Sequence, residues 1–279
     1  MFVEIRFQVN DLARLAHPGR KGHRIVAFLK FQFDESYNDR AMCVGGWLAS
    51  ELEWLKFERM WTKRLKYINS RNAPNQQITR FHAAPLNARD DEFKNWTQDM
   101  SIAFSKKFLS TIQKRDMRAI CMSTDMQALH QAFPDGDPKA IQERGYILCI
   151  KQMMVEIGHT MRDHYPNDKV LLVHDRGNWD VQALNAYHWM VDDVRWEPRK
   201  YFAGIIPMSW EHSIGLQPAD MVAYETFRFL KDTVLPDTEK LRSALIAMME
   251  RRLEINSKYM NARALNILSG MVAARLGDV

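Results

Sequence analysis

Carboxylates stand at three separated places where the fold of this chain could gather them. Asp34 and Glu35 follow an apolar run, Asp175 ends a second apolar run, and Asp220 comes shortly after a proline late in the chain. Ligands of open α/β sheets bind beyond the strand ends, so carboxylates at those ends can converge although they are far apart in sequence. Crowded carboxylates repel one another unless protons or cations neutralise them, and Mg²⁺ prefers oxygen ligands. The pattern predicts a site for Mg²⁺ or Mn²⁺ held by Asp34, Asp175 and Asp220.

Each acid also has a structural interpretation that requires no ligand. Asp34 could cap the turn after its strand, and Asp175 could begin a loop. Pro218 suits the first turn of a helix, which places Gln217 at the helix boundary and Asp220 inside that turn, where the macrodipole favours a negative charge. Metal-bridging proximity of the three carboxylates, with ions on the order of 4 Å apart, separates the two interpretations.

The first elements are predicted to be a strand hairpin followed by a helix. Ile25–Phe33 is rich in β-branched and aromatic residues and precedes a cluster of turn-forming residues, which predicts a strand and then a loop. Ala41–Leu48 follows after a few residues, as a hairpin partner would, and the pair Gly45 and Gly46 predicts a bulge in it. Over Ser50–Ile68, large apolar residues recur every three or four positions, which is typical of an amphipathic helix.

The rest of the chain alternates between helical and strand patterns and ends in helices. The predicted elements are a strand at Ile78–Phe81, a helix from Asp90 through Phe108, a strand at Met117–Ser123, a helix at Lys139–Arg162, a strand at Lys169–Val173, a helix at Asp180–Val194, a strand at Phe202–Met208, and helices at Pro218–Leu230, Glu239–Glu254 and Asn261–Arg275. This order predicts an α/β fold with a mixed sheet flanked by helices, helical insertions and a helical C-terminus. No linker divides the chain, so we expect an N-terminal extension over residues 1–24 and a single domain over residues 25–279.

The composition is that of an ordinary globular protein. Among 279 residues, 46% are hydrophobic and 26% are charged, which excludes a disordered or collagenous chain. Cys43, Cys121 and Cys149 are far apart, which excludes a disulfide scaffold and a zinc ribbon and indicates a reducing cytosol. No apolar stretch approaches the roughly 18 residues of a membrane span, so we expect a soluble cytoplasmic protein with no membrane partner. A net charge of +5 is compatible with nucleic acid as a partner.

Other motifs add little to this picture. The chain contains no Walker A loop, no G-x-S-x-G elbow and no H-E-x-x-H helix. Glu156 and His159 match half of a di-iron bundle motif, but the second copy that such a site requires is missing. One face of the first predicted helix is basic, and a solvated surface is a better interpretation of it than a track along a nucleic-acid backbone. That face carries Lys56, Arg59, Lys63 and Lys66.

Together, several of these segments resemble a known family. The sequence DES at Asp34–Ser36, the paired glycines, His82 after a short apolar segment, the acid Asp175 and SIGLQPADMVAY at Ser213–Tyr224 resemble the domain-of-unknown-function 3800 family over roughly residues 25–230. That family looks like a branch of the RNase H-like superfamily. Many of its members carry glycine after the DES, where this chain has Tyr37.

The resemblance implies an RNase H-like fold in which carboxylates on the first strand, a central strand and a C-terminal helix hold divalent metal ions. It adds Glu35 as a fourth acid. His82 could act as a general base, a metal ligand or a phosphate contact, or it could be a structural histidine. Ser36 and Gln217 lie within the motifs that define the site. In a strand, the side chain of Glu35 opposes that of Asp34, so we expect Glu35 to join the site only if the chain turns there.

Two functions from different classes follow from these expectations. The first is a divalent-metal-dependent nuclease that hydrolyses phosphodiester bonds of RNA or DNA, with Asp34, Glu35, Asp175, Asp220 and His82 as its catalytic residues. The second is a non-catalytic RNase H-like module that binds nucleic acid or another protein and keeps the acids for structural reasons. The presence of an acid at all three expected positions favours the nuclease.

Overall fold

A computed structural model of the protein describes residues 28–72, 77–134, 136–231 and 255–267. Six strands form one mixed sheet in the order β5-β4-β1-β2-β3-β6. Of these six, β2 runs antiparallel to its neighbours β1 and β3, and every other adjacent pair is parallel. The strands are β1 (Phe28–Tyr37), β2 (Ala41–Ser50), β3 (Arg118–Asp125), β4 (Lys169–Asp175), β5 (Phe202–Met208) and β6 (Ile255–Met260).

Helices cover both faces of the sheet. Two separate apolar clusters form the core, one on each face: α1, α3 and α7 contribute to the first, and α4, α5 and α6 to the second. Within the described ranges, no helix is long and apolar enough to cross a membrane. The helices are α1 (Glu51–Asn69), α2 (Ala83–Ala88), α3 (Gln98–Ile112), α4 (Met126–Ala132), α5 (Pro138–His164), α6 (Asp180–Asp192) and α7 (Leu216–Phe229), with short 3-10 helices at Asp91–Phe93 and Glu197–Tyr201.

The β1–β2 hairpin is longer and more regular than the sequence pattern indicates. The expected loop after Phe33 is wrong, because β1 continues through the DES segment to Tyr37 before the chain reverses. The side chain of Asn38 closes the turn by accepting hydrogen bonds from the backbone N–H groups of Arg40 and Ala41 at 2.9 Å. The pairing of β1 with β2 runs without a register shift, so the predicted glycine bulge is also wrong.

The first amphipathic helix is confirmed as α1. The side chain of Ser50 caps its N-terminus by accepting a hydrogen bond from the backbone N–H of Glu53. Its apolar face buries Trp54, Phe57 and Trp61 against the sheet and α3. Arg59, Lys63 and Lys66 on its other face are exposed.

Ile78–Phe81 is not a strand. Its backbone groups form hydrogen bonds to side chains and not to a neighbouring strand. The amide of Asn69 bonds to both the N–H and the carbonyl of Ile78, and the side-chain oxygen of Gln217 accepts from the N–H of Phe81. The helix expected from Asp90 begins only at Gln98, where the hydroxyl of Thr97 caps it.

The C-terminal part departs from the expected run of helices. Residues Ile255–Met260 form the edge strand β6, parallel to β3. Its sequence, INSKYM, has little of the apolar alternation that marks a strand, because an edge strand is only partly covered. The predicted helix Glu239–Glu254 and the N-terminal extension 1–24 lie outside the described residues, as does the end of the last predicted helix after residue 267.

Candidate functional site

The sheet places Asp34 and Asp175 next to each other. In the parallel pair β1–β4, Phe33 lies opposite His174, so each acid is the residue that follows in its own strand. Asp34 is also the register partner of Gly45 in β2, and paired residues point to the same face of a sheet. Asp34 and Asp175 therefore both face α7.

Helix α7 packs unusually close to this part of the sheet because Gly45 has no side chain. A Cβ atom at Gly45 would lie 3.0 Å from the Cα of Ala223, which is tighter than ordinary packing. The indole N–H of Trp47 donates to the carbonyl of Pro218 at 2.8 Å and fixes the first turn of α7 on β2. The close approach carries Asp220, one turn before Ala223, towards the ends of β1 and β4.

Asp220 and Gln217 connect α7 to the segment before α2. The carboxylate of Asp220 accepts a hydrogen bond of 2.7 Å from the backbone N–H of Ala83. The side-chain oxygen of Gln217 is buried and accepts bonds of 2.9 Å from both the indole of Trp61 and the N–H of Phe81. Gln217 thus positions the segment and does not face the site. The helix begins at Leu216, so Asp220 lies beyond its first turn, contrary to the expectation from Pro218.

Four carboxylates share one environment, and we call Asp34, Glu35, Asp175 and Asp220 the carboxylate cluster. Burial raises the pKa of Asp34 well above its ordinary value, and the charges of Glu35, Asp220 and Asp175 raise it further. Burial also raises the pKa of Asp220 to about 7 and, to a smaller extent, that of Asp175. The acids that are separated in sequence are therefore close enough in space to disfavour one another's ionisation.

Glu35 joins the carboxylate cluster although the chain does not turn there. It is paired with Val44 and leaves β1 on the face opposite Asp34, yet burial and then the charge of Asp175 raise its pKa to about 7, and it hydrogen-bonds to Asp34. The expectation that a turn is required is wrong, because β4 ends at Asp175 and no longer separates the two faces beyond that point. Ser36, opposite Cys43, lies on the same face as Asp34.

Tyr146 approaches Glu35 from α5. Its side chain is fully buried, and its hydroxyl has no hydrogen-bond partner among the described residues. Burial raises the pKa of Tyr146, and the charges of Glu35 and Asp34 raise it further. Its ring stacks on Trp179 at 5.0 Å, and Tyr37 meets Trp179 edge-on at 5.4 Å. Sequence reasoning missed Tyr146 because its position in an apolar helix is typical of a core residue.

His82 and Arg80 lie on the α7 side of the carboxylate cluster. His82 precedes α2 and is half-buried, and burial followed by the charge of Arg80 lowers its pKa, which favours the neutral ring. Its Nδ1 lies 3.1 Å from Nη2 of Arg80, whose guanidinium stacks 4.7 Å from the ring centre of Trp210. No motif pointed to Arg80, because an isolated arginine carries no spacing signal.

Comparisons of this chain with protein-family models, with curated proteins and with solved structures found no match. The family resemblance therefore rests on the motifs quoted above, and the properties it implies remain expectations.

The donor types of the carboxylate cluster fit a hard divalent cation. All four donors are carboxylates, and the buried thiols Cys43, Cys121 and Cys149 take no part in the cluster. Within the part of the chain that the structure describes, no three His, Cys, Asp or Glu side chains are arranged to hold one metal ion as they stand. Burial and the neighbouring charges raise the pKa values of these acids, which favours their protonated forms and reduces the charge of the cluster.

Proposed function

We propose that this protein is a divalent-metal-dependent nuclease with an RNase H-like fold. The observation that carries the proposal is the carboxylate cluster itself, in which four acids from β1, β4 and α7 are gathered without a paired cation from the described residues. Burying several like charges costs stability, so such a cluster points to a function that needs it. The first strand, a neighbouring central strand and a late helix are also the positions that the family resemblance implies.

Asp34, Asp175 and Asp220 would hold Mg²⁺ or Mn²⁺. When bound, such ions lower the pKa of a water molecule and stabilise the charge that develops on the phosphate. The hydrogen bond from the N–H of Ala83 orients the carboxylate of Asp220. The close packing of α7 on Gly45 holds this carboxylate near the ends of β1 and β4. Glu35 has a pKa of about 7 and shares a hydrogen bond with Asp34, so it can take up or release a proton at neutral pH.

The test is a panel of labelled single-stranded RNA, single-stranded DNA and hybrid duplexes, incubated with Mg²⁺ or Mn²⁺. We expect the wild type to cleave at least one substrate and Asp34→Asn to reduce the rate by at least about 100-fold, because it removes an ion-binding carboxylate. The matched control is Asp163→Asn, since Asp163 is half exposed at the end of α5 and pairs only with Arg162 among the described residues.

The non-catalytic module predicts a different outcome of the same panel. Wild-type protein that binds these substrates and cuts none of them would support it, as would cleavage that persists unchanged in Asp34→Asn. Thermal melts of both proteins with and without Mn²⁺ separate a loss of fold from a loss of metal binding, because a cation that binds only the folded state raises its melting temperature.

A further inference from the structure

Arg80 is a cation placed beside a group of acids without being neutralised by them. Burial raises the pKa of Asp175 and Asp220, and the positive charge of Arg80 partly offsets that effect. Glu211, which is exposed in the loop after β5, also lies within the field of Arg80. Within the described residues, however, the guanidinium makes no ion pair, although its neighbourhood is strongly acidic.

The guanidinium is held by a platform and one hydrogen bond. The guanidinium carbon lies over the ring of Trp210, 4.7 Å from its centre, and Nη2 lies 3.1 Å from Nδ1 of His82, which accepts because a guanidinium can only donate. An arginine carries five N–H donors in a rigid fork, and the bond to His82 uses one of them. Stacking on an aromatic ring restricts the side chain without consuming its donors. Arg80 is therefore oriented in advance and retains donors for an anion.

We propose that Arg80 is the phosphate-binding residue of a substrate subsite, held by Trp210 and His82 next to the carboxylate cluster. The proposal rests on the nuclease function and names the part of the substrate that Arg80 contacts, a backbone phosphate of the nucleic acid. Carboxylates repel a phosphate, and a cation at the edge of the cluster reduces that repulsion for a backbone phosphate that approaches it. The planar fork of arginine matches two phosphate oxygens, as a lysine ammonium does not.

A structural role for Arg80 predicts a different result. If Arg80 only balanced the charge of Asp175 and Asp220, its removal would alter the stability of the metal-free protein and leave nucleic-acid affinity unchanged. The dependence of binding on salt distinguishes the two roles, because each phosphate neutralised by the protein contributes about 0.7 to the slope of log K against log salt for a single strand.

The experiment measures the anisotropy of fluorescent single-stranded RNA and DNA of about 20 nucleotides, a length above the site size of single-strand binding folds. It uses the Asp34→Asn background, so that binding in Mg²⁺ is measured without cleavage. Arg80→Gln should weaken binding at least tenfold at low salt and reduce the salt slope by about 0.7. Arg80→Lys should retain the slope and lose affinity severalfold, because it keeps the charge and loses the fork.

Arg71 provides a matched control. It also stacks on an aromatic ring, 4.4 Å from the centre of Tyr67 at the end of α1, but it does not contribute to the pKa shifts of the carboxylate cluster. Arg71→Gln should therefore leave both affinity and slope unchanged. An Arg80→Gln protein with the slope of its parent would overturn the proposal, as would an equal loss in Arg71→Gln.

Two further measurements distinguish the phosphate subsite from a loss of fold and from the nuclease function itself. Thermal melts of each variant show whether it is folded, and Trp210→Leu tests the same subsite by removing the platform, with a smaller loss of affinity and an unchanged slope. An Arg80-dependent slope in a protein that cleaves nothing would contradict the nuclease and retain the phosphate subsite. Cleavage by a protein whose salt slope does not depend on Arg80 would support the nuclease and contradict the phosphate subsite.

Discussion

Acidic side chains in two regions of this protein lie in opposite electrostatic environments. Glu156, in the middle of α5, is buried and pairs with the ammonium of Lys258 in β6, while His159 lies 3.8 Å from the same oxygen. The acids of the carboxylate cluster are gathered with one another, and no ion pair joins them to a cation within the described ranges. Glu156 has a cationic partner, whereas the carboxylate cluster carries negative charge that Arg80 offsets only in part, so protons or a ligand must balance the rest.

The difference shows how a structural acid and a functional acid can be distinguished in one molecule. The Glu156 and His159 pair, which matches half of a di-iron motif, is explained by the cation that joins α5 to the sheet edge. Among the residues that the structure describes, no ion-pair partner of this kind accounts for Asp34, Asp175 or Asp220. Breaking an ion pair affects mainly stability, and removing a ligand affects mainly binding and chemistry.

The largest expected effect is on activity. Asp175→Asn should reduce metal-dependent cleavage by at least about 100-fold and abolish stabilisation by Mn²⁺ while the fold remains intact. Glu156→Gln should keep full activity and lose about 1 kcal/mol of stability, because Lys258 is half exposed and solvent screens the pair. Cleavage assays and thermal melts of the two variants measure this contrast. A Glu156→Gln protein that lost activity would remove the difference between the two groups.

The close packing of α7 is the next feature to test. Gly45→Ala should cost about 1–3 kcal/mol, since the new methyl group must displace the backbone of Ala223. It should also reduce activity, because Asp220 moves with the helix. Gly177→Ala is the control, as no atom lies within 4 Å of its Cβ position, and we expect a change within about 0.5 kcal/mol. Equal unfolding free energies for the two variants in urea would contradict this account of Gly45.

The metal-free protein should lose stability as the pH rises. The pKa of Glu35 and that of Asp220 are raised from ordinary values of 4.5 and 3.8 to about 7 by burial. The folded state therefore binds more protons than the unfolded state between about pH 4 and pH 7, and stability falls through that range.

The decrease between pH 5 and pH 7.5 should be about 2 kcal/mol for each of the two titrating groups, and it should be smaller in Asp220→Asn, which lacks one of them. Urea unfolding in EDTA at pH 5 and pH 7.5 measures it. A protein that is more stable at pH 7.5, with Asp220→Asn showing the same trend, would indicate that the cluster ionises without penalty. Saturating Mn²⁺ should reverse the slope in the wild type only, because the cation replaces the protons.

The smallest effect concerns two tyrosine hydroxyls. Tyr146→Phe should leave the metal-free protein equally stable or more stable by less than about 1 kcal/mol, because it removes a buried hydroxyl without a partner among the described residues. Tyr259→Phe, next to Lys258 in β6, should lose about 1 kcal/mol, since the hydroxyl of Tyr259 donates to the carboxylate of Asp125 at 3.2 Å. Thermal melts of the pair test the contrast, and a larger loss in Tyr146→Phe would show that its hydroxyl is already satisfied.

The sequence by itself determined the elements whose periodicity is strong. The buried strand that ends in Asp175, the amphipathic α1 and the alternation of helices with strands follow from local patterns of apolar residues, which depend only on neighbours in the chain. The acidic positions were also visible in the sequence, because Asp34 and Asp175 follow apolar runs and Asp220 comes shortly after Pro218.

Only the tertiary structure decided which residues surround those acids. Glu35 enters the carboxylate cluster because β4 stops at Asp175, and Arg80 lies near because Gln217 holds its segment against α7. Neither fact has a local signal, since both depend on contacts between segments more than a hundred residues apart. Local periodicity records which face of an element is buried, and it contains no information about what is buried against it.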